Sequence, residues 1–229
     1  MRTKKEIIKQ MTAIKKFLQE NPDYFDDWEQ MHINSCMKID YTDKFIPDIM
    51  RELFGELNLF KENENIYDGY IELLQDNFDI NQNIIEVAGG IIPVLGKRLA
   101  TMQDSGSVTV YDPRLGTTTT NIPNLSLKKE KFSASTKLSK SGLIIAFMPC
   151  EATETIIRSA CQNNKDFMIA MCEGGPHGDI YDFYEDEEEW LSSMLSYADR
   201  LIEDNNMGTL QKTYLKEYKD PYPVIWNKR

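Results

Sequence analysis

The sequence predicts an α/β fold: a doubly wound, mostly parallel seven-stranded sheet with a C-terminal antiparallel hairpin, preceded by an N-terminal helical segment. Three features predict it. From Asn83 onward, short and nearly continuous apolar runs alternate with amphipathic stretches, the pattern of parallel strands covered on both faces by helices. Residues 83–115, NIIEVAGGIIPVLGKRLATMQDSGSVTVYDPRL, make one complete β-α-β unit with two glycines at its first turn. Beyond residue 208 the pattern changes to polar–apolar alternation, which suits a half-exposed strand pair.

Each element has its own signal. Ile7, Ile8, Met11, Ile14 and Leu18 recur at helical spacing with lysines between them. Asn21-Pro22 ends that helix, because the residue before a proline is driven out of the helical region. Residues 26–36, 47–59 and 66–77 give further helical stretches, and no strand is expected before Asn83. The chain thus divides into a helical cap, 1–82, and an α/β domain, 83–229. Strands are expected at 84–87, 108–111, 143–148 and 167–171, with a weaker pattern at 129–132. Helices are expected at 91–103, 151–163 and 185–204, the last opening on an acidic run that suits a helix N-terminus. Residues 209–218 and 222–226 flank the turn Lys219-Asp220-Pro221 and form the hairpin.

Composition narrows the function. A chain of 229 residues buries a substantial core without disulfides. A net charge of −11 argues against a broad nucleic-acid footprint. Lys128, Lys129, Lys131, Lys137 and Lys140 are a local exception that reads as a solvated face and loop. The cysteines, Cys36, Cys150, Cys161 and Cys172, form no CxxC pair, and His32 and His177 are the sole histidines, so no metal site is expected. Reduced thiols, and an N-terminus without an apolar signal region, point to the cytoplasm. The longest apolar run, 143–148, is far short of the roughly 20 residues of a membrane span. A homodimer is left open.

The chemistry concentrates at strand ends. Glu86-Val87-Ala88-Gly89-Gly90 lets a ligand approach the backbone, and Pro93 places the helix start near Gly90. The N–H groups exposed there suit a carboxylate or phosphate. A dinucleotide GxGxxG laid on residues 88–93 agrees only at Gly90, which disfavours a pyrophosphate loop. Asp112 ends the second strand, with Pro113 beside it, where a carboxylate can hold ribose hydroxyls.

On these residues the chain resembles the class I S-adenosylmethionine-dependent methyltransferases, over residues 83–229. Glu86, Ala88, Gly89 and Gly90 match their first motif. Asp112 matches the acid that holds both ribose hydroxyls. Met148 and Pro149, within Phe147-Met148-Pro149-Cys150, match the motif facing the methyl group, and the terminal hairpin matches the close of their sheet. The resemblance implies S-adenosylmethionine as cofactor. The chain departs from it in three places. Ile91 or Ile92 stands at the third glycine; Met148-Pro149-Cys150-Glu151 stands where amino-group methyltransferases have Asn/Asp-Pro-Pro-Tyr; Phe132-Ser133 stands where an acidic pair follows the third strand. The missing motif, the acidic surface and the helical cap favour a small-molecule acceptor over nucleic acid.

Methyl transfer needs in-line positioning, and a base only where the acceptor carries a proton at neutral pH. His177, in the loop Cys172-Glu173-Gly174-Gly175-Pro176-His177, is the first candidate base; Glu151 is the second, or else a charge at a helix N-terminus. Cys150 and Cys172 read as small core hydrophobes. Tyr181, Phe183, Tyr184 and Trp190, like Tyr24, Phe25 and Trp28, either wall a substrate pocket or pack helices. Two other readings compete: a non-catalytic cofactor-binding or interaction protein on the same fold, and an NAD-dependent oxidoreductase.

Overall fold

A computed structural model describes residues 4–22, 33–34, 67–90, 93–116, 118–138, 142–171, 187–215 and 222–229. Its centre is a seven-stranded sheet in the order β3-β2-β1-β4-β5-β7-β6. Strands β1 (Ile84–Val87), β2 (Val108–Tyr111), β3 (Leu125–Lys128), β4 (Leu143–Phe147) and β5 (Asp166–Ala170) are parallel. The hairpin β6 (Thr209–Leu215) and β7 (Tyr222–Lys228) adds to β5, with β7 antiparallel to it. The described helices are α1 (Lys4–Glu20), α2 (Asp68–Asn77), α3 (Val94–Met102), α4 (Thr153–Gln162) and α5 (Glu187–Asp204).

Burial follows strand position. β1 and β4 are buried almost throughout, as expected of central parallel strands. The outer strands β2 and β3 alternate buried with more exposed residues. Ile84, Leu143, Ile145 and Met168 pack on one face with Tyr70, Ile71 and Leu74 of α2 and Leu95 and Leu99 of α3. Ile85, Ile144, Phe167 and Ile169 pack on the other with α4 and α5. Helix α5 buries Trp190, Met194, Ala198 and Ile202, a stripe at every fourth residue. Helix α2 is tied down by Tyr70, whose hydroxyl donates to the Met168 carbonyl at 2.8 Å, and by Asp68, which pairs with Arg98 of α3 at 2.7 Å.

Three expectations are corrected. The strand expected at 129–132 lies at 125–128, where Leu125 and Leu127 point inward and Ser126 and Lys128 outward. Phe132, from the expected strand, instead crosses to the opposite core and meets the Tyr111 ring edge-on at 5.7 Å. Helix α3 starts at Val94, not near Gly90: Pro93 sits just before it at ψ 69°, outside the helical region, and its carbonyl accepts the Lys97 N–H at 3.0 Å. The helix expected from 151 begins with a 3-10 turn, Cys150–Ala152, and becomes α-helical at Thr153. No helix among the described residues is long and apolar enough to cross a membrane.

Candidate functional site

The strand order reverses between β1 and β4: the chain runs outward from β1 through β2 to β3, then returns to β4 and moves outward the other way. Doubly wound sheets bind ligands in the crevice at the carboxyl ends of the strands flanking such a reversal. The parallel register brings the sequence motifs level there. Val87 lies opposite Tyr111 on one side and Ala146 on the other, so Ala88, Asp112 and Phe147 come next at the same height. The Ala88 N–H donates to the Tyr111 carbonyl at 2.9 Å, and the Met148 N–H to the Ala170 carbonyl at 2.7 Å. Three non-glycine residues around the reversal hold left-handed backbone: Ala88 at φ 61°, Met148 at φ 54° and Cys150 at φ 46°. Such conformations cost of order 1–3 kcal/mol each and cluster at functional sites.

Asp112 is 1% exposed. Its Oδ2 accepts the Gly90 N–H at 2.9 Å, and its Oδ1 accepts the Arg114 backbone N–H at 2.7 Å. The Arg114 guanidinium reaches over the same carboxylate, Nε to Oδ1 and Nη2 to Oδ2, both at 3.2 Å. The glycine turn and the expected ribose acid are therefore one hydrogen-bonded unit. A loop N–H that sequence reasoning offered to a ligand's anion is held by the chain's own carboxylate.

Glu86 is also buried, beneath the turn. A Cβ on Gly89 would lie 3.3 Å from its Oε2 and would collide with Val110 Cγ1. A Cβ on Gly96 of α3 would collide with Glu86 Oε2 and lie 2.6 Å from Val110 Cγ2. Two glycines thus let the turn and the helix settle onto Glu86 and β2. Gly90 itself needs φ 80°, which glycine adopts without steric cost. Pro113 is exposed beside Asp112.

At the end of β4, Phe147 is wedged edge-on between Tyr67 at 5.0 Å and Tyr70 at 5.5 Å. Met148 is half-buried and Pro149 buried. Cys150, expected in the core, is instead half-buried at the first position of the 3-10 turn, because its left-handed backbone carries it out of the strand. Its Sγ lies 3.4 Å from the Met148 carbonyl. Among the described residues Cys161 is the buried thiol, its pKa pushed up to about 11 by desolvation. Glu151 is exposed in the 3-10 turn at the foot of α4. Trp190 is buried and packs α5 on the sheet, which answers its alternative roles in favour of packing.

His177, Cys172, Tyr24, Phe25, Trp28, Tyr181, Phe183 and Tyr184 lie outside the described residues. Sequence reasoning missed Arg114, which the Asp112-Pro113-Arg114 spacing could have flagged, since an aspartate readily accepts from the backbone two residues on. It also missed Tyr67 and Tyr70, for which no local signal exists.

No protein-family model and no curated protein matches this chain. Among solved structures it is similar to magnesium protoporphyrin IX methyltransferase from Synechocystis PCC 6803 at 9% identity and a TM-score of 0.47, over 81% of this chain and 98% of that one. It is similar to precorrin-6y C5,15-methyltransferase from Geobacter metallireducens GS-15 at 13% identity and a TM-score of 0.46, over 70% and 87%. A third similar structure is the 23S rRNA methyltransferase ErmE, at 11% identity and a TM-score of 0.45, over 72% and 69%.

Proposed function

We propose that this chain binds S-adenosylmethionine at the carboxyl ends of β1, β2 and β4 and transfers its methyl group to a small molecule. One observation carries the reading: the buried Asp112 carboxylate, at the end of β2, is hydrogen-bonded to Gly90 of the turn after β1. That bond sets a carboxylate at the mouth of a glycine turn beside a strand-order reversal, the arrangement that holds the ribose of an adenine cofactor. The residues fit the group. Asp112 would accept the ribose hydroxyls, with Pro113 at the rim. Ala88, Gly89 and Gly90 leave the turn free of bulky side chains, and buried Glu86 supports it from beneath. Met148 and Pro149 stand at the end of β4, across the reversal from the turn.

When bound, S-adenosylmethionine supplies an electrophilic methyl group on a positively charged sulfur. The chain's own part is positioning and, for a protonated acceptor, removal of a proton. His177, on the segment after β5, is the proposed base, with Glu151 as the second candidate. The segment 1–82 is the proposed substrate-selecting part. Within it α2 does a second job, since Tyr67 and Tyr70 brace Phe147 directly before Met148. The acidic charge and the lack of an Asn/Asp-Pro-Pro-Tyr motif favour a small acceptor over nucleic acid, in a cytoplasmic setting.

Thermal shift with S-adenosylhomocysteine tests the cofactor. At 100 times its dissociation constant it should stabilise the fold by about 2.7 kcal/mol, roughly 5–10 °C for a chain of this size. Asp112→Ala, with its fold checked by circular dichroism, should lose that shift. No shift in the unaltered protein would sink the reading. Once an acceptor is in hand, undiminished turnover by His177→Ala would remove that residue from the mechanism.

A further inference from the structure

We infer that Arg114 is a specificity latch on the ribose site: its guanidinium occupies, on Asp112, the two acceptor positions that a vicinal diol would take. This rests on the cofactor reading above but concerns a residue that the family resemblance does not assign. The geometry sorts the donors on Asp112 into two kinds. The backbone N–H groups of Gly90 and Arg114 are at 2.9 and 2.7 Å, one on each carboxylate oxygen. The guanidinium Nε and Nη2 are both at 3.2 Å, again one on each oxygen. A carboxylate offers about four lone-pair positions, so the described donors fill them. Charge-assisted N–H···O bonds normally run about 2.7–2.9 Å, so the guanidinium pair is the loose half of the set.

Exposure agrees with this division. The Arg114 side chain is 50% exposed while the side chain of Asp112 is 2% exposed. The half-exposed arginine has solvent on its outer side into which the fork can open, and the two backbone donors continue to hold the buried carboxylate. A ribose 2′,3′-diol presents one hydroxyl donor to each oxygen, which is what the departing fork relinquishes. Ligand entry is then an exchange of two donors for two. A ligand that offers only one hydroxyl cannot replace both arms of the fork and is selected against.

Arg114→Lys tests this. Lysine keeps the positive charge but cannot span both oxygens with a planar fork. S-adenosylhomocysteine, whose sulfur is neutral, should bind the variant about fivefold more tightly, the upper worth of a half-exposed ion pair. The ligand-free variant should melt at a lower temperature than the unaltered protein. Opposite signs in the two measurements mark a latch; a residue that merely supports the turn would lower both stability and affinity. Binding to the unaltered protein with equal or weaker binding to Arg114→Lys overturns the latch and leaves the cofactor reading standing. No binding to either protein overturns both.

Discussion

Tyr70 shows how one side chain couples packing to pH. Burial pushes its phenol well above the ordinary value of 10.0, and the charge of Glu86 adds to the rise. The folded state therefore keeps this proton after the unfolded chain has released it. Its contribution is fully present below about pH 10 and is lost as pH climbs further, because the native form then binds more protons than the unfolded one. Tyr70→Phe should cost about 1 kcal/mol at neutral pH through the lost bond to the Met168 carbonyl. It should also flatten the alkaline fall in stability, as read by urea unfolding across a pH series. An alkaline limb as steep as that of the unaltered protein would place its cause elsewhere. Asp112 and Glu86 were legible from their strand-end positions. Which donors meet Asp112 was not, since side-chain direction depends on how the turn folds back.

At the scale of elements, the contact between α3 and the strands beneath it depends on absent side chains. Alanine normally favours a helix over glycine by about 1 kcal/mol. At Gly96 the sign reverses, because the added methyl meets Val110 on β2 as well as Glu86. Val110 is branched and anchored in the sheet, so the helix must lift. Gly96→Ala should lose about 1–2 kcal/mol net, and Val110→Ala placed beside it should recover part of that loss. Equilibrium denaturation of the two single variants and the double one measures this; a Gly96→Ala protein more stable than its parent would contradict it. The same scale explains the misplaced helix start. Pro93 marks a helix beginning, but a proline can stand at the first helical position or just before it, and only the path of the turn chooses between them.

Across the whole molecule, the antiparallel pairing of β7 with β5 is reinforced by one buried amide. Asn227 on β7 is 0% exposed. Its Oδ1 accepts the Phe167 N–H at 2.8 Å, while its Nδ2 donates to Asp166 Oδ1 at 2.8 Å and to the Met207 carbonyl at 3.1 Å. Arg229 adds Nε to the same Asp166 oxygen at 2.8 Å. The amide thus spans β5, β7 and the turn after α5. Asn227→Ala would strand a buried N–H at the head of β5 and should cost about 2–3 kcal/mol, lowering the melting temperature by roughly 5–10 °C. Calorimetry of the variant reads this directly, and a melting temperature unchanged within a degree or so would show that the staple is dispensable.

Local pattern determined what local pattern can report. Periodicity identified the central strands and the hairpin, because burial on one face or two repeats along the chain itself. The glycine turn and the two strand-end acids were equally plain, since each sits at a fixed offset from an apolar run. The tertiary structure decided the rest. It set the strand order with its reversal between β1 and β4, placed Tyr70 against Met168 ninety-eight positions away, and aimed Gly90 and Arg114 at Asp112. The physical reason is that an apolar pattern says that a face will be covered but not by what. A carboxylate's partners are likewise chosen by the fold that closes over it.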